Sequence, residues 1–104
     1  MSYTRRNYEE VNDTNGLHFM RDALKADNLG FTVLETDEGW EGKEHDHADE
    51  GHEEIYFLVE GDATLDIDGD TVWLEEGDAV RVDPGSTRQL RTPEPSTIVI
   101  AGAP

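Results

Sequence analysis

Two histidines and one glutamate carry the chemistry that is legible in this chain. His45 and His47 stand at i and i+2, and side chains at that spacing on an extended segment project to one face. Glu54 opens the strongly apolar run Ile55-Tyr56-Phe57-Leu58-Val59, so a returning strand can carry its carboxylate back to the two imidazoles. Two imidazoles and one carboxylate around a point, with positions left open, suit a divalent transition metal, most typically non-haem iron. Manganese, nickel and zinc are compatible with the same donors. The chain has no cysteine, which excludes disulfides and thiolate ligands and leaves His, Asp and Glu as the only metal donors.

Each donor could equally be a solvated side chain, because Glu44, Asp46, Asp49 and Glu50 crowd the same stretch. Glu54, however, shares a face by alternation with Tyr56 and Leu58, and a carboxylate there needs a partner to offset desolvation. A metal supplies one partner and Arg88 another. His52 precedes Glu54 by two residues and is a candidate fourth donor if the strand begins that early. His18 is given no role.

The pattern Gly39 or Gly42, His45, His47, Glu54, Gly61 resembles the first motif of the cupin superfamily, in which a glycine precedes His-x-His and a Glu and a second Gly follow. A second half-motif, Gly77-Asp78-Ala79-Val80-Arg81-Val82-Asp83-Pro84-Gly85-Ser86-Thr87-Arg88, resembles the family's Gly-Asp opening, apolar alternation and Pro-Gly turn. Two features depart from the pattern. The segment before the turn is shifted by one residue, and Arg88 stands where the family normally has its last metal-binding histidine. The resemblance spans residues 29–101 and implies a small single-domain cupin, all-β, with the double-stranded β-helix or jelly-roll barrel fold. It further implies a divalent metal on His45, His47 and Glu54, a small-molecule ligand and a homodimer.

Arg88 leaves three readings open. With the metal retained on three ligands, Arg88 orients an anionic substrate, since a guanidinium grips carboxylates and phosphates in a bidentate way. With the metal lost, Arg88 pairs with Glu54. With the register off by one, Arg88 points outwards and Gln89 faces in. Tyr56 is a second candidate for substrate binding.

The elements that must position these groups read as short strands. Leu17–Met20, Leu29–Thr36, Glu53–Glu60, Ala63–Asp68, Thr71–Leu74, Asp78–Val82, Ser86–Arg91 and Thr97–Ala101 alternate or run apolar between turn signals, the pattern of a sandwich or barrel. The run at 55–59 is apolar on both faces, as expected for a strand buried between the interior and another layer. Trp73 points away from Val72 and Leu74, onto an outer face that a dimer would bury. Residues 1–16 read as an arm or edge strand, residues 17–104 as the barrel domain, and residues 37–42 as a loop. Asp68-Gly69 is a two-residue hairpin signal. The run Asp66-Ile-Asp68-Gly69-Asp70 is not a calcium loop, because the glycine and the distal glutamate fall at the wrong positions.

The 104 residues carry 25 acids against 8 bases, a net charge of −17. The acids are spread over nearly every segment. A uniform acidic coat suits a protein kept soluble in strong salt, where the Debye length falls to about 3 Å at 1 M. The reading is a cytoplasmic protein of a halophile. Nucleic acid is excluded as a partner, since phosphate binding needs a basic surface. Neither a signal peptide nor an apolar run of membrane-spanning length is present. Two function classes follow: a metal-dependent enzyme acting on a small anionic molecule, or a non-catalytic ligand-binding or sensing module with a degenerate, metal-free site.

Overall fold

A computed structural model describes residues 2–104. A single 3-10 turn at Tyr8–Glu10 precedes ten strands: β1 Asp13–Thr14, β2 Leu17–Phe19, β3 Gly30–Thr36, β4 Trp40–Glu41, β5 Glu53–Glu60, β6 Ala63–Ile67, β7 Asp70–Leu74, β8 Ala79–Val82, β9 Arg88–Thr92 and β10 Ser96–Ala103. They form two antiparallel sheets, ordered β1-β2-β3-β10-β5-β8 and β4-β9-β6-β7. The chain therefore crosses repeatedly from one sheet to the other, and its last strand lies between β3 and β5. This is the all-β jelly-roll barrel expected from the motifs. Among the described residues no helix is long and apolar enough to cross a membrane.

The period of two explains the core. Leu34, Tyr56, Leu58, Val82 and Ile98 face inwards from the larger sheet and meet Ala63, Leu65, Leu74 and Leu90 from the smaller one. Each lies on the inward half of an alternating strand. The β5 run 55–59, apolar on both faces, behaves differently from expectation. Its second face is not covered by another layer: Ile55, Phe57 and Val59 are 44%, 38% and 45% exposed in the single chain. Trp73 points outwards as its neighbours imply and is 69% exposed.

Two hairpins turn on residues with positive φ. Asp68 and Gly69 at 49° and 88° join β6 to β7, and Asn15 and Gly16 at 51° and 87° join β1 to β2, the conformation that two-residue hairpin loops require. Asn15-Gly16 is as strong a sequence signal as Asp68-Gly69, and the boundary drawn after residue 16 falls inside this hairpin. The loop expected at 37–42 contains β4, which pairs Trp40 with Thr92 and Glu41 with Arg91. The indole of Trp40 fixes that segment by donating from Nε1 to the Asn15 carbonyl at 2.9 Å. The strand expected at Ser86 begins at Arg88 instead, because Asp83–Ser86 closes a turn through a Ser86 N–H to Asp83 carbonyl bond of 3.1 Å.

Gly61 at the end of β5 has φ of 107°, and a Cβ there would lie 2.2 Å from the Ser96 hydroxyl oxygen and 2.7 Å from the Pro95 carbonyl. Gly69 has φ of 88° and open space around it. Left-handed backbone alone costs an L-residue about 1–2 kcal/mol. Urea unfolding is expected to show Gly69→Ala losing about 1 kcal/mol and Gly61→Ala at least about twice that, since its neighbours must also move.

Candidate metal centre

The two half-motifs meet through backbone pairing. The His45 N–H donates to the Arg88 carbonyl at 3.0 Å, and the Arg88 N–H donates back to the His45 carbonyl at 2.8 Å, an isolated antiparallel bridge. Two residues on, the His47 N–H donates to the Pro84 carbonyl at 2.9 Å. The histidine segment is thus laid along the turn that enters β9. Glu54 arrives on β5, where it pairs with Val82 of β8 and Gly102 of β10.

This arrangement brings one donor atom each from His45, His47 and Glu54 within 4.8 Å of one another. Glu54 Oε1 lies 3.3 Å from His47 Nε2 and 4.0 Å from His45 Nε2, and the two imidazoles stand nearly perpendicular with centroids 4.9 Å apart. The far nitrogens are already engaged. His45 Nδ1 is 2.9 Å from the Lys43 carbonyl, so it must donate there, and His47 Nδ1 is 3.4 Å from Glu50 Oε2. A proton held on Nδ1 leaves the Nε2 lone pair facing the carboxylate, the tautomer that metal ligation needs. His47 Nε2 is buried and has no hydrogen-bond partner. Buried polar nitrogens are seldom left unpaired, and a cation among the three donors satisfies this one. The residues present therefore fit a divalent metal.

His52 stacks beside His47 with centroids 6.4 Å apart, and its nitrogens are not in the group of three. Arg88 points inwards and is fully buried. Its guanidinium reaches Glu54 Oε1 at 3.5 Å and donates to the Asp83 carbonyl at 2.6 Å, while Nε has no partner. Gln89 faces the other way and donates to the Gly42 carbonyl at 2.9 Å. The Tyr56 hydroxyl donates to Glu54 Oε1 at 2.9 Å. Burial, and then the Glu54 charge, push the Tyr56 phenol far above its ordinary value, with Arg88 opposing. Tyr56 is therefore a donor to Glu54 and not a base.

One carboxylate oxygen thus gathers a phenol, a guanidinium and an imidazole. Glu50 and the carbonyls of Lys43 and Asp83 also take part, and the sequence reading had not singled them out. Glu50 at i+3 from His47 carried a faint signal, whereas carbonyl partners leave none in a side-chain pattern. Removing one member of a buried pair strands the other, a loss of about 3 kcal/mol or more, and contacting residues do not add. Arg88→Met is expected to destabilise the metal-free protein by about that amount in urea, and Arg88→Met with Glu54→Gln by less than the sum of the two single changes.

The cupin domain family model matches residues 32–101. The fold is similar to that of a cupin protein from Bacteroides fragilis (TM-score 0.82, 21% identity, 99% of this chain and 85% of that one). It is also similar to an RmlC-like cupin from Shewanella frigidimarina (TM-score 0.76, 22% identity, 100% of this chain and 95% of that one). A third similar structure is KdgF from Halomonas sp. (TM-score 0.68, 24% identity, 74% of this chain and 69% of that one). Identities this low speak for the fold alone. No curated protein matches the sequence. Fold, half-motifs and family model agree, and the chain belongs to the cupin family.

Proposed function

We propose that this cupin binds one divalent transition metal on His45, His47 and Glu54 and uses it to hold or transform a small molecule in the barrel. The observation that carries the reading is the buried, unpartnered His47 Nε2 facing Glu54, with the opposite nitrogen of the same ring directed at Glu50. A bound metal supplies Lewis acidity and open positions for a ligand's donor atom. Without thiolates the site favours harder or borderline ions such as iron, manganese, nickel and zinc.

Arg88 is proposed to act through Glu54. It orients the carboxylate, and its own charge weakens the site's hold on a cation. Tyr56 orients the same oxygen and also lines the adjoining cavity, which makes it the proposed ligand contact. A non-catalytic binding module is the second reading. It is favoured by Tyr56, an acid–base candidate on the cavity wall that is fixed as a hydrogen-bond donor to Glu54. Metal analysis of protein purified without a histidine tag is expected to give about one equivalent in the wild type and none in His47→Ala. Arg88→His, which replaces a repelling charge by a fourth donor, is expected to bind at least about tenfold more tightly. A metal-free wild type after reconstitution with iron, manganese, nickel and zinc would sink this reading.

A second copy of the chain is the proposed partner, seated on the outer face of the larger sheet. Val99 of β10 pairs with Val33 and Phe57, and Ala101 with Phe31 and Ile55, so these side chains form one apolar, uncharged patch. Two chains of charge −17 can approach only through such a face, and the salt-rich cytoplasm proposed from the acidic coat screens the remainder. Trp73, on the other sheet, lies outside this contact. Sedimentation equilibrium in molar salt is expected to show a dimer that Phe57→Glu converts to monomer and Trp73→Glu leaves intact.

A further inference from the structure

The barrel holds a partly open cavity of about 160 Å³ that His45, one of the three donor residues, lines. Its walls are Leu17, Leu34, Trp40, Tyr56, Leu90 and Ile100. Asn15, Gly42, Lys43 and His45 complete the lining, and part of the hydrogen-bonding capacity around the cavity is spent. The Asn15 carbonyl accepts from Trp40 Nε1, His45 Nδ1 is held by the Lys43 carbonyl, and the Tyr56 hydroxyl is held by Glu54. The polar groups left to a ligand are His45 Nε2, the Asn15 amide, and the ammonium of exposed Lys43. Lys43 is exposed and makes no salt bridge among the described residues.

Size and polarity together select a chemical class. An apolar cavity of about 150 Å³ in another protein holds a benzene ring, so this one accommodates a single six-membered ring. A polyhydroxylated molecule would bury hydroxyls with no partner among Leu17, Leu34, Leu90 and Ile100, which disfavours it strongly. An anionic group has two places to go: the metal beside His45, and the free ammonium of Lys43, a cation in a chain of net charge −17.

We propose that the cavity takes a monocyclic, largely apolar ligand with one anionic donor, of the benzoate or phenolate type, and rejects sugar acids and sugar phosphates. Its contact with the metal rests on the reading given under Proposed function, whereas the selection by size and polarity does not.

The protein has two tryptophans, and one of them is in the cavity wall. Trp73→Phe removes the exposed one on the outer face of β7 and leaves Trp40 as a local reporter. Its emission is expected to change saturably with benzoate, and not with gluconate or glucose 6-phosphate at ten times the concentration. Ile100→Phe, which fills the cavity, is expected to weaken benzoate at least tenfold while metal uptake is kept, and Leu17→Phe at the rim serves if Ile100→Phe fails to fold. Benzoate binding by a protein that takes up no metal would leave the cavity inference standing and remove the metal reading alone. Equal binding of gluconate or glucose 6-phosphate would overturn the inference. So would an absence of benzoate binding in both metal-free and metal-loaded protein, or benzoate binding that is indifferent to both filling substitutions.

Discussion

A carboxylate placed inside a barrel must be compensated, and the surroundings of Glu54 are organised around that requirement. It sits on the inward face of β5, between strands that pair with it on both sides, where water is scarce. An uncompensated charge in such a place costs several kcal/mol. The compensation comes from two directions: Tyr56 from the same strand and Arg88 from β9. Each partner belongs to an element whose position is fixed by backbone pairing. The two histidines come from the connection between β4 and β5, which backbone bonds pin against the turn entering β9.

The fold was legible because its information is periodic. Alternation in β3, β5, β6, β7 and β10 marks which side chains turn inwards, and glycine-containing turns mark where the chain reverses. Strand ends were misread where a local contact outweighs propensity. β4 exists because Trp40 anchors to Asn15 and pairs across to Thr92, a relation between residues far apart in sequence. β9 starts late because the Asp83–Ser86 turn consumes the preceding residues. The second face of β5 was misjudged for a different reason: an apolar pattern states that a surface avoids water but does not say whether the same chain covers it.

The site was legible in its residue types and less so in their roles. The pairing of His45 and His47 with Glu54 follows from two-residue spacing and strand return. The role of Arg88 did not follow, since three directions for its side chain were equally compatible with the string of letters. The structure adds depth: Arg88 is fully buried, with its guanidinium next to Glu54 and the Asp83 carbonyl. The relation between donors and cavity was also invisible, because Leu17, Leu34, Leu90 and Ile100 come from four separate strands and read individually as ordinary core.

The reciprocal backbone bridge between His45 and Arg88 has a consequence for how this centre can change over time. Because His45 is held by the main chain of residue 88 and not by its side chain, the identity of residue 88 is uncoupled from the geometry of the histidines. A substitution there exchanges a cation for a donor or for a neutral filler while the scaffold keeps its register. Position 88 is in that sense a socket: the barrel supplies the mounting, and the side chain inserted there sets the charge of the chamber.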